Sequence, residues 1–245
     1  MNFKTLFSFH LLVLILTSAL SQNKKYFGEF QKAFQENKQT EAIAALNKAI
    51  ENNEADLQYL YEVKGDAYST FMNFEASAKA YEEVFKLNPK FNLGELYFKL
   101  GTAYYFSRNY QLASNFLEKA FKSDYKSSGI PNNLAWCFSE TGNYTKALEY
   151  FQIAYDQDPN YVNNVNNLGY AYYLNDDLKK AETYILKAQD MDANNSFIYR
   201  NLGLIYMKKG KKKKACNFLQ QSIDKGIIKK WGEFYINELQ EYCNN

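Results

Sequence analysis

Three side-chain amides recur at one fixed interval. Asn133, Asn167 and Asn201 stand at intervals of 34 and 34, each just before a Leu-Ala or Leu-Gly pair. An amide carries two N–H donors and a carbonyl acceptor. A regular ladder of them matches the backbone of an extended peptide without reading its sequence. Asn132 and Asn166 precede two of the three, and Arg200 takes that place before Asn201. This is the chemistry of recognition rather than of bond breaking.

Residues for catalysis are scarce. The only histidine, His10, lies in an N-terminal stretch with the marks of export. Lys4 supplies a positive charge, Leu6 to Leu20 is apolar apart from Ser8, His10, Thr17 and Ser18, and Ala19-Leu20-Ser21 offers small residues for cleavage before Gln22. The run is shorter than the ~20 residues of a membrane span. Residues 1–21 therefore read as a secretory signal peptide, and the chain as exported to a periplasm or beyond. An uncleaved anchor is the alternative. Without that segment no histidine remains for general acid–base catalysis, for activating a nucleophile or for holding a metal. Cys137, Cys216 and Cys243 show no short metal or redox spacing. Cys216 and Cys243 could tie the last repeat to the C-terminus, but spacing leaves their pairing open. No enzyme, cofactor or metal site is expected.

The amides sit in a longer frame. Small residues recur at Ala42, Ser77, Ala113, Ala147, Ala181 and Ala215, at intervals of 35, 36, 34, 34 and 34. Four residues after each stands Leu46, Tyr81, Leu117, Phe151, Ile185 or Leu219. Twelve before it, from the second copy on, stands Gly65, Gly101, Ala135, Gly169 or Gly203, and nine before it Tyr68, Tyr104, Phe138, Tyr172 or Tyr206. Asn73, Asn109, Gly142-Asn143 and Asp176-Asp177 mark turns that cap a following helix. Pro89 and Pro159 end helices, having no N–H to donate. Small residues on both helices let them approach, and aromatics fill the space beside the contact.

This frame resembles the tetratricopeptide repeat, a helix–turn–helix unit of about 34 residues. Six units are expected, about 23–56, 58–91, 94–127, 128–161, 162–195 and 196–227. The resemblance implies an all-α, right-handed solenoid whose first helices line a concave groove. In the first unit Phe30 and Ala33 replace the glycine and the aromatic, as a capping unit facing solvent would tolerate. Within residues 228–245, Ile228, Trp231, Tyr235, Leu239 and Tyr242 form one helical stripe, expected to cap the other end.

By register the groove candidates are Asn132, Asn133, Asn166, Asn167 and Asn201, with Trp136, Tyr170, Tyr173, Phe98, Tyr105 and Arg200. Aromatics and arginine dominate binding hot spots, so a protein or extended peptide is the expected partner. The three ladder residues look like the asparagine ladder of the repeat superhelix in O-GlcNAc transferases. The carboxylate clamp of chaperone-binding repeats is absent, because Glu62, Asp66, Phe98 and Thr102 stand at the corresponding places.

Charge is uneven. Residues 22–100 carry 10 basic and 12 acidic groups, 101–195 carry 8 and 11, and 196–245 carry 10 and 4. Lys208, Lys209, Lys211, Lys212, Lys213 and Lys214 supply most of the final excess. That run is either a solvated turn or a contact for an anionic surface. Nucleic acid is not expected, since the groove is not basic. The sequence thus reads as a non-enzymatic binding scaffold. The alternative is a membrane-tethered assembly or regulatory subunit, held by its N-terminal segment or its lysine-rich end.

Overall fold

A computed structural model describes residues 24–88, 93–227 and 241–243. The signal segment and most of the expected C-terminal stripe, apart from Tyr242, lie outside the described residues. Among the described residues there are twelve helices and no strand. They run α1 (Lys25–Gln35), α2 (Gln39–Glu51), α3 (Leu57–Thr70), α4 (Phe74–Leu87), α5 (Leu93–Phe106) and α6 (Tyr110–Lys122). Then come α7 (Gly129–Glu140), α8 (Tyr144–Gln157), α9 (Val162–Leu174), α10 (Leu178–Met191), α11 (Ser196–Lys208) and α12 (Lys212–Asp224). Consecutive helices pair as six hairpins. The chain divides into two compact units, Met1–Lys126 and Ser127–Asn245, with three hairpins in each. No described helix is long and apolar enough to cross a membrane.

Within a hairpin the decisive contact joins residues 16 apart. A Cβ built on Gly65 would lie 2.4 Å from the Tyr81 ring, and one on Gly101 2.6 Å from Leu117. On Gly169 it would lie 2.6 Å from Ile185, and on Gly203 2.4 Å from Leu219. The first helix must be bare at that place because the second helix fills it. In the fourth hairpin Ala135 and Phe151 hold the two positions, both fully buried. The first hairpin departs from the pattern, and not by facing solvent: Phe30 is 2% exposed and packs with Phe27, Leu46 and Leu60. Here both residues at that spacing are large, Phe30 on the first helix and Leu46 on the second. Glu54 then closes this hairpin, its carboxylate accepting from the backbone N–H groups of Tyr26 and Phe27 at 3.0 and 2.8 Å.

All six turns share one geometry. A residue with positive φ precedes the next helix: Asn37, Met72, Arg108, Gly142, Asp176 and Gly210. The next N–H reaches back to the carbonyl of Ala33, Tyr68, Tyr104, Phe138, Tyr172 or Tyr206 at 2.8–3.0 Å. This satisfies a carbonyl that would otherwise be orphaned at the helix end. Asn73, Asn109, Asn143 and Asp177 accept from the N–H three residues on, as expected of caps. Lys38 and Lys211 stand at the same place without a side-chain cap.

A second regularity joins residues 12 apart. Tyr104 stacks on Phe116, Phe138 on Tyr150, Tyr172 on Tyr184 and Tyr206 on Phe218, with ring centroids 5.4–5.7 Å apart and planes within 18°. In the last three hairpins a lysine lies over the first ring: Lys146 over Phe138, Lys180 over Tyr172 and Lys214 over Tyr206. The aromatic of the first helix is thus clasped between a ring and an ammonium, both from the second helix.

Cys216 and Cys243 form a disulfide, which ties residues 241–243 to α12. Cys137 is a free, buried thiol, and burial pushes its pKa up to about 12. Reductant therefore acts on the described fold through the one disulfide. Reduction, or Cys243→Ser, should lower stability by about 3 kcal/mol for a loop of this size, read by chemical denaturation with and without reductant. A second pair of changes tests the close contact. Gly169→Leu should cost about 1–3 kcal/mol by overpacking. Gly28→Ala, with open space around its Cβ, should gain about 0.5–1 kcal/mol. Urea midpoints distinguish the two.

Candidate functional site

In the unit from Ser127 on, α9 packs beside both α7 and α11, so the first helices of these hairpins are neighbours. Asn164, 5% exposed, holds the link before α9 by donating to the carbonyls of Ala154 and Asp158 at 2.8 and 3.1 Å. Its own carbonyl oxygen accepts from Asn132 Nδ2 at 3.0 Å. From there the amides run on between hairpins. Asn167 Nδ2 donates to Asn132 Oδ1 at 3.1 Å, and Asn201 Nδ2 to Asn166 Oδ1 at 3.0 Å. Asn166 and Asn201 are buried, and Asn133 is half-buried on α7. Asn167 and Asn201 thus each bond not the periodic amide of the hairpin before but the asparagine that precedes it, Asn132 or Asn166.

The aromatic candidates come together beside them. Trp136 meets Phe151 edge-on at 5.3 Å and lies 5.5 Å from Tyr170, which stacks on Tyr173 at 5.9 Å. The guanidinium of Arg200 lies over the Tyr170 ring at 5.7 Å, and its Nη1 donates to Asn201 Oδ1 at 3.1 Å. Burial raises the Tyr170 pKa, and the neighbouring Arg200 opposes that rise. Nine of the eleven expected groove residues therefore share this unit. Phe98 and Tyr105 belong to the other one, where Phe98 lies 5.8 Å from Tyr125, and Tyr105 meets Phe106 and Tyr110 at 5.0 and 5.9 Å.

In the unit ending at Lys126, the ladder position is Lys99. It reaches back to α3 as Asn167 and Asn201 reach back, but to carboxylates. Its ammonium lies 2.6 Å from Glu62, 3.3 Å from Asp66 and 3.6 Å from Glu95. Tyr81 Oη donates to the other Asp66 oxygen at 2.5 Å. Burial and Asp66 hold the Tyr81 pKa well above its usual value. For Lys99, burial opposes the charge, but Asp66, Glu62 and Glu95 outweigh it and hold the pKa above the usual lysine range. The sequence puts Glu62 and Asp66 on one helix and Lys99 at the ladder position of the next, but does not by itself bring them together. The signal is register, since Lys99 holds the place in its repeat that Asn133 holds in the next.

The lysine run is not one patch. Lys208 pairs with Asp176 and lies over Tyr173, and Lys209 pairs with Glu182, which also accepts from Tyr206 Oη. Lys214 donates to Tyr206 Oη at 2.9 Å. Lys211, Lys212 and Lys213 are exposed where α12 begins.

Tetratricopeptide repeat profiles match residues 98–162 and residues 59–91, 163–195 and 198–224, more than half of the chain. The chain belongs to the tetratricopeptide repeat family. Proteins of this family bind protein or peptide partners, and the chain is a protein-interaction scaffold of that kind. Similar solved structures include YrrB, described as a TPR protein with an unusual peptide-binding site. It is 22% identical, with a TM-score of 0.58, over 74% of this chain and 92% of that one. A tetratricopeptide repeat protein from Parabacteroides merdae ATCC 43184 is 18% identical, with a TM-score of 0.64, over 90% and 83%. MamA from Desulfovibrio magneticus RS-1 is 19% identical, with a TM-score of 0.61, over 69% and 95%. No curated protein matches in sequence. At these identities the likeness is one of fold.

The Lys99 cluster makes a testable contribution to stability. Lys99→Met leaves Glu62 and Asp66, 24% and 12% exposed, without their cation, and should cost about 3 kcal/mol. Folding holds the Lys99 proton more tightly than the unfolded chain does. This contribution is therefore complete below the ordinary lysine value of 10.5 and is lost as pH rises through the higher folded value. The stability gap between wild type and Lys99→Met, measured by urea denaturation from pH 7 to 12, should stay constant and then shrink above about pH 10.5.

Proposed function

We propose that the tetratricopeptide unit from Ser127 on holds an extended peptide along the faces of α7, α9 and α11. The observation that carries this reading is the run of half-buried aromatics, Trp136, Tyr170 and Tyr173, laid side by side across two of those helices and joined by Arg200 from the third. Aromatic rings give contact area with little entropy to lose, and Trp, Tyr and Arg are the residues on which binding energy concentrates. The paired amides support this use in two ways. They fix the spacing of the three helices, and an amide group in one bond of this kind still has capacity for another.

The same reading makes the protein a non-enzymatic scaffold working outside the cytoplasm. The Cys216–Cys243 disulfide supports that compartment, since such bonds persist where the surroundings are oxidising. Lys211, Lys212 and Lys213 add a contact for an anionic surface, supported by their exposure at the start of α12. The membrane-tethered alternative parts from the exported one at a single point. Mass spectrometry of the chain from its native host gives a soluble protein beginning at Gln22 in one case and a membrane-bound one with residues 1–21 intact in the other.

For the binding face, a twelve-residue peptide selected from a random phage-displayed library on the full chain supplies the probe. Tyr170→Ala and Trp136→Ala should each weaken its binding by tenfold or more, about 1.4 kcal/mol or above. Tyr184→Ala, in a stacked pair elsewhere in the same hairpin, should change it by less than about twofold. Fluorescence anisotropy reads both, and equal effects at the two places would remove the proposed face.

A further inference from the structure

We propose that the Cys216–Cys243 disulfide is a site of thiol exchange rather than a fixed brace. An external thiolate attacks Cys243 Sγ, Cys216 leaves as a thiolate, and residues 241–243 come free of α12. This inference stands apart from the peptide-binding face and does not depend on it.

Placement comes first. The disulfide joins the second turn of α12 to residues 241–243. Neither of its cysteines is buried, whereas the free Cys137 is. Within residues 241–243, Tyr242 is half-buried and packs against the apolar core that includes Ala215 and Tyr206, and Glu241 is exposed. Opening the bond therefore leaves one ring contact and the Lys212–Tyr242 contact to hold these three residues to the hairpin.

The charges around the two sulfurs differ. Lys212 and Lys213 stand four and three residues before Cys216, on the same face of α12, and both are exposed. The Lys212 ammonium lies 5.9 Å from the centre of the Tyr242 ring, which puts it where the two segments join. Lys214 is turned away, to Tyr206 Oη. The one acid of α12 is its last residue, Asp224, which accepts from Gln220 at 2.9 Å. On the other segment, Glu241 stands two residues before Cys243. Ammonium groups stabilise a thiolate beside them and lower the pKa of its thiol. Cys216 is thus the sulfur whose thiolate is favoured. Exchange expels the sulfur that leaves more readily as a thiolate, so attack falls on Cys243.

The bonds balance in two steps. The incoming sulfur bonds to Cys243 Sγ, the Cys216–Cys243 bond breaks, and its electron pair goes to Cys216. A second external thiolate then attacks the external sulfur of this mixed disulfide, and Cys243 leaves as a thiolate. Two thiols have been oxidised to their disulfide, and the protein disulfide has been reduced to two thiols. Lys212 and Lys213 act as positioning residues for the charge on Cys216.

Brief treatment of the full chain with reduced glutathione, an acid quench and alkylation test this by peptide mass spectrometry. Glutathione should sit on Cys243 and the alkyl label on Cys216, in preference to the reverse by about threefold or more. The double variant Lys212→Gln, Lys213→Gln keeps residues of similar helix propensity. It should free Cys216 about threefold more slowly or less, with the preference for Cys243 reduced. A merely structural role for the two lysines moves neither reading. Hydroxyl-radical footprinting of Cys243→Ser reads the release, and Tyr242 should be oxidised more than in wild type while the buried Tyr206 is unchanged. Glutathione on Cys216, or equally on both sulfurs, overturns the proposal. So does a double variant that exchanges as wild type does, or a Tyr242 equally protected with and without the bond.

Discussion

Each hairpin from the second on depends on a vacancy being filled. A bare or nearly bare position on the first helix lies against a large residue 16 positions later on the second, and no side chain beyond a methyl group occupies both places at once. That contact sets how closely the helices approach. It also sets which residues face away, because fixing one point on each helix fixes the rest of its turns. The stacked ring pairs and the left-handed turn residues recur at fixed places around it. Through this constraint the repeating frame of the sequence becomes a structure.

The first-helix residue before the Leu-Gly or Leu-Ala pair does a second job. In three hairpins it reaches back to the previous first helix: Lys99 to carboxylates, Asn167 and Asn201 to amides. One register position thus serves to bond neighbouring hairpins, and its chemistry sets the character of the face. With carboxylates it gives the closed ionic cluster of α3 and α5. With amides it gives a neutral rail beside the aromatics of α7, α9 and α11. Buried amides in a chain of this kind are costly if left half satisfied and stiffening when complete. A stiff, largely aromatic face suits a ligand whose backbone and a few side chains are read.

Much of this was legible in the sequence. The small residues, their large partners and the Asn and Asp caps repeat at fixed spacing, and spacing is what a helical hairpin obeys. Other features were not. Phe30 breaks the pattern by putting a large residue on the first helix where the other hairpins are bare, with Leu46 still large on the second, and periodicity reads this as a capping unit facing solvent. The pairs Lys208–Asp176 and Lys209–Glu182 join residues 32 and 27 apart, and long side chains reach each other from many registers. A lysine run therefore looks like one patch until its partners are seen. The same holds for Lys99, whose place in the ladder was visible but whose three carboxylates were not. For the amides, sequence placed them at one register and left their partners open. Whether an amide faces a ligand or another amide depends on the approach of the next hairpin.

If the first helices of residues 127–227 bind a peptide through Trp136, Tyr170 and Tyr173, the bound peptide shields those three rings. Hydroxyl-radical footprinting of the full chain with a bound library-selected peptide tests it most directly. Protection is expected at Trp136, Tyr170 and Tyr173, with Tyr150 and Tyr184 oxidised as in the free chain. Protection of Tyr150 and Tyr184 with Trp136 and Tyr170 unchanged would contradict it.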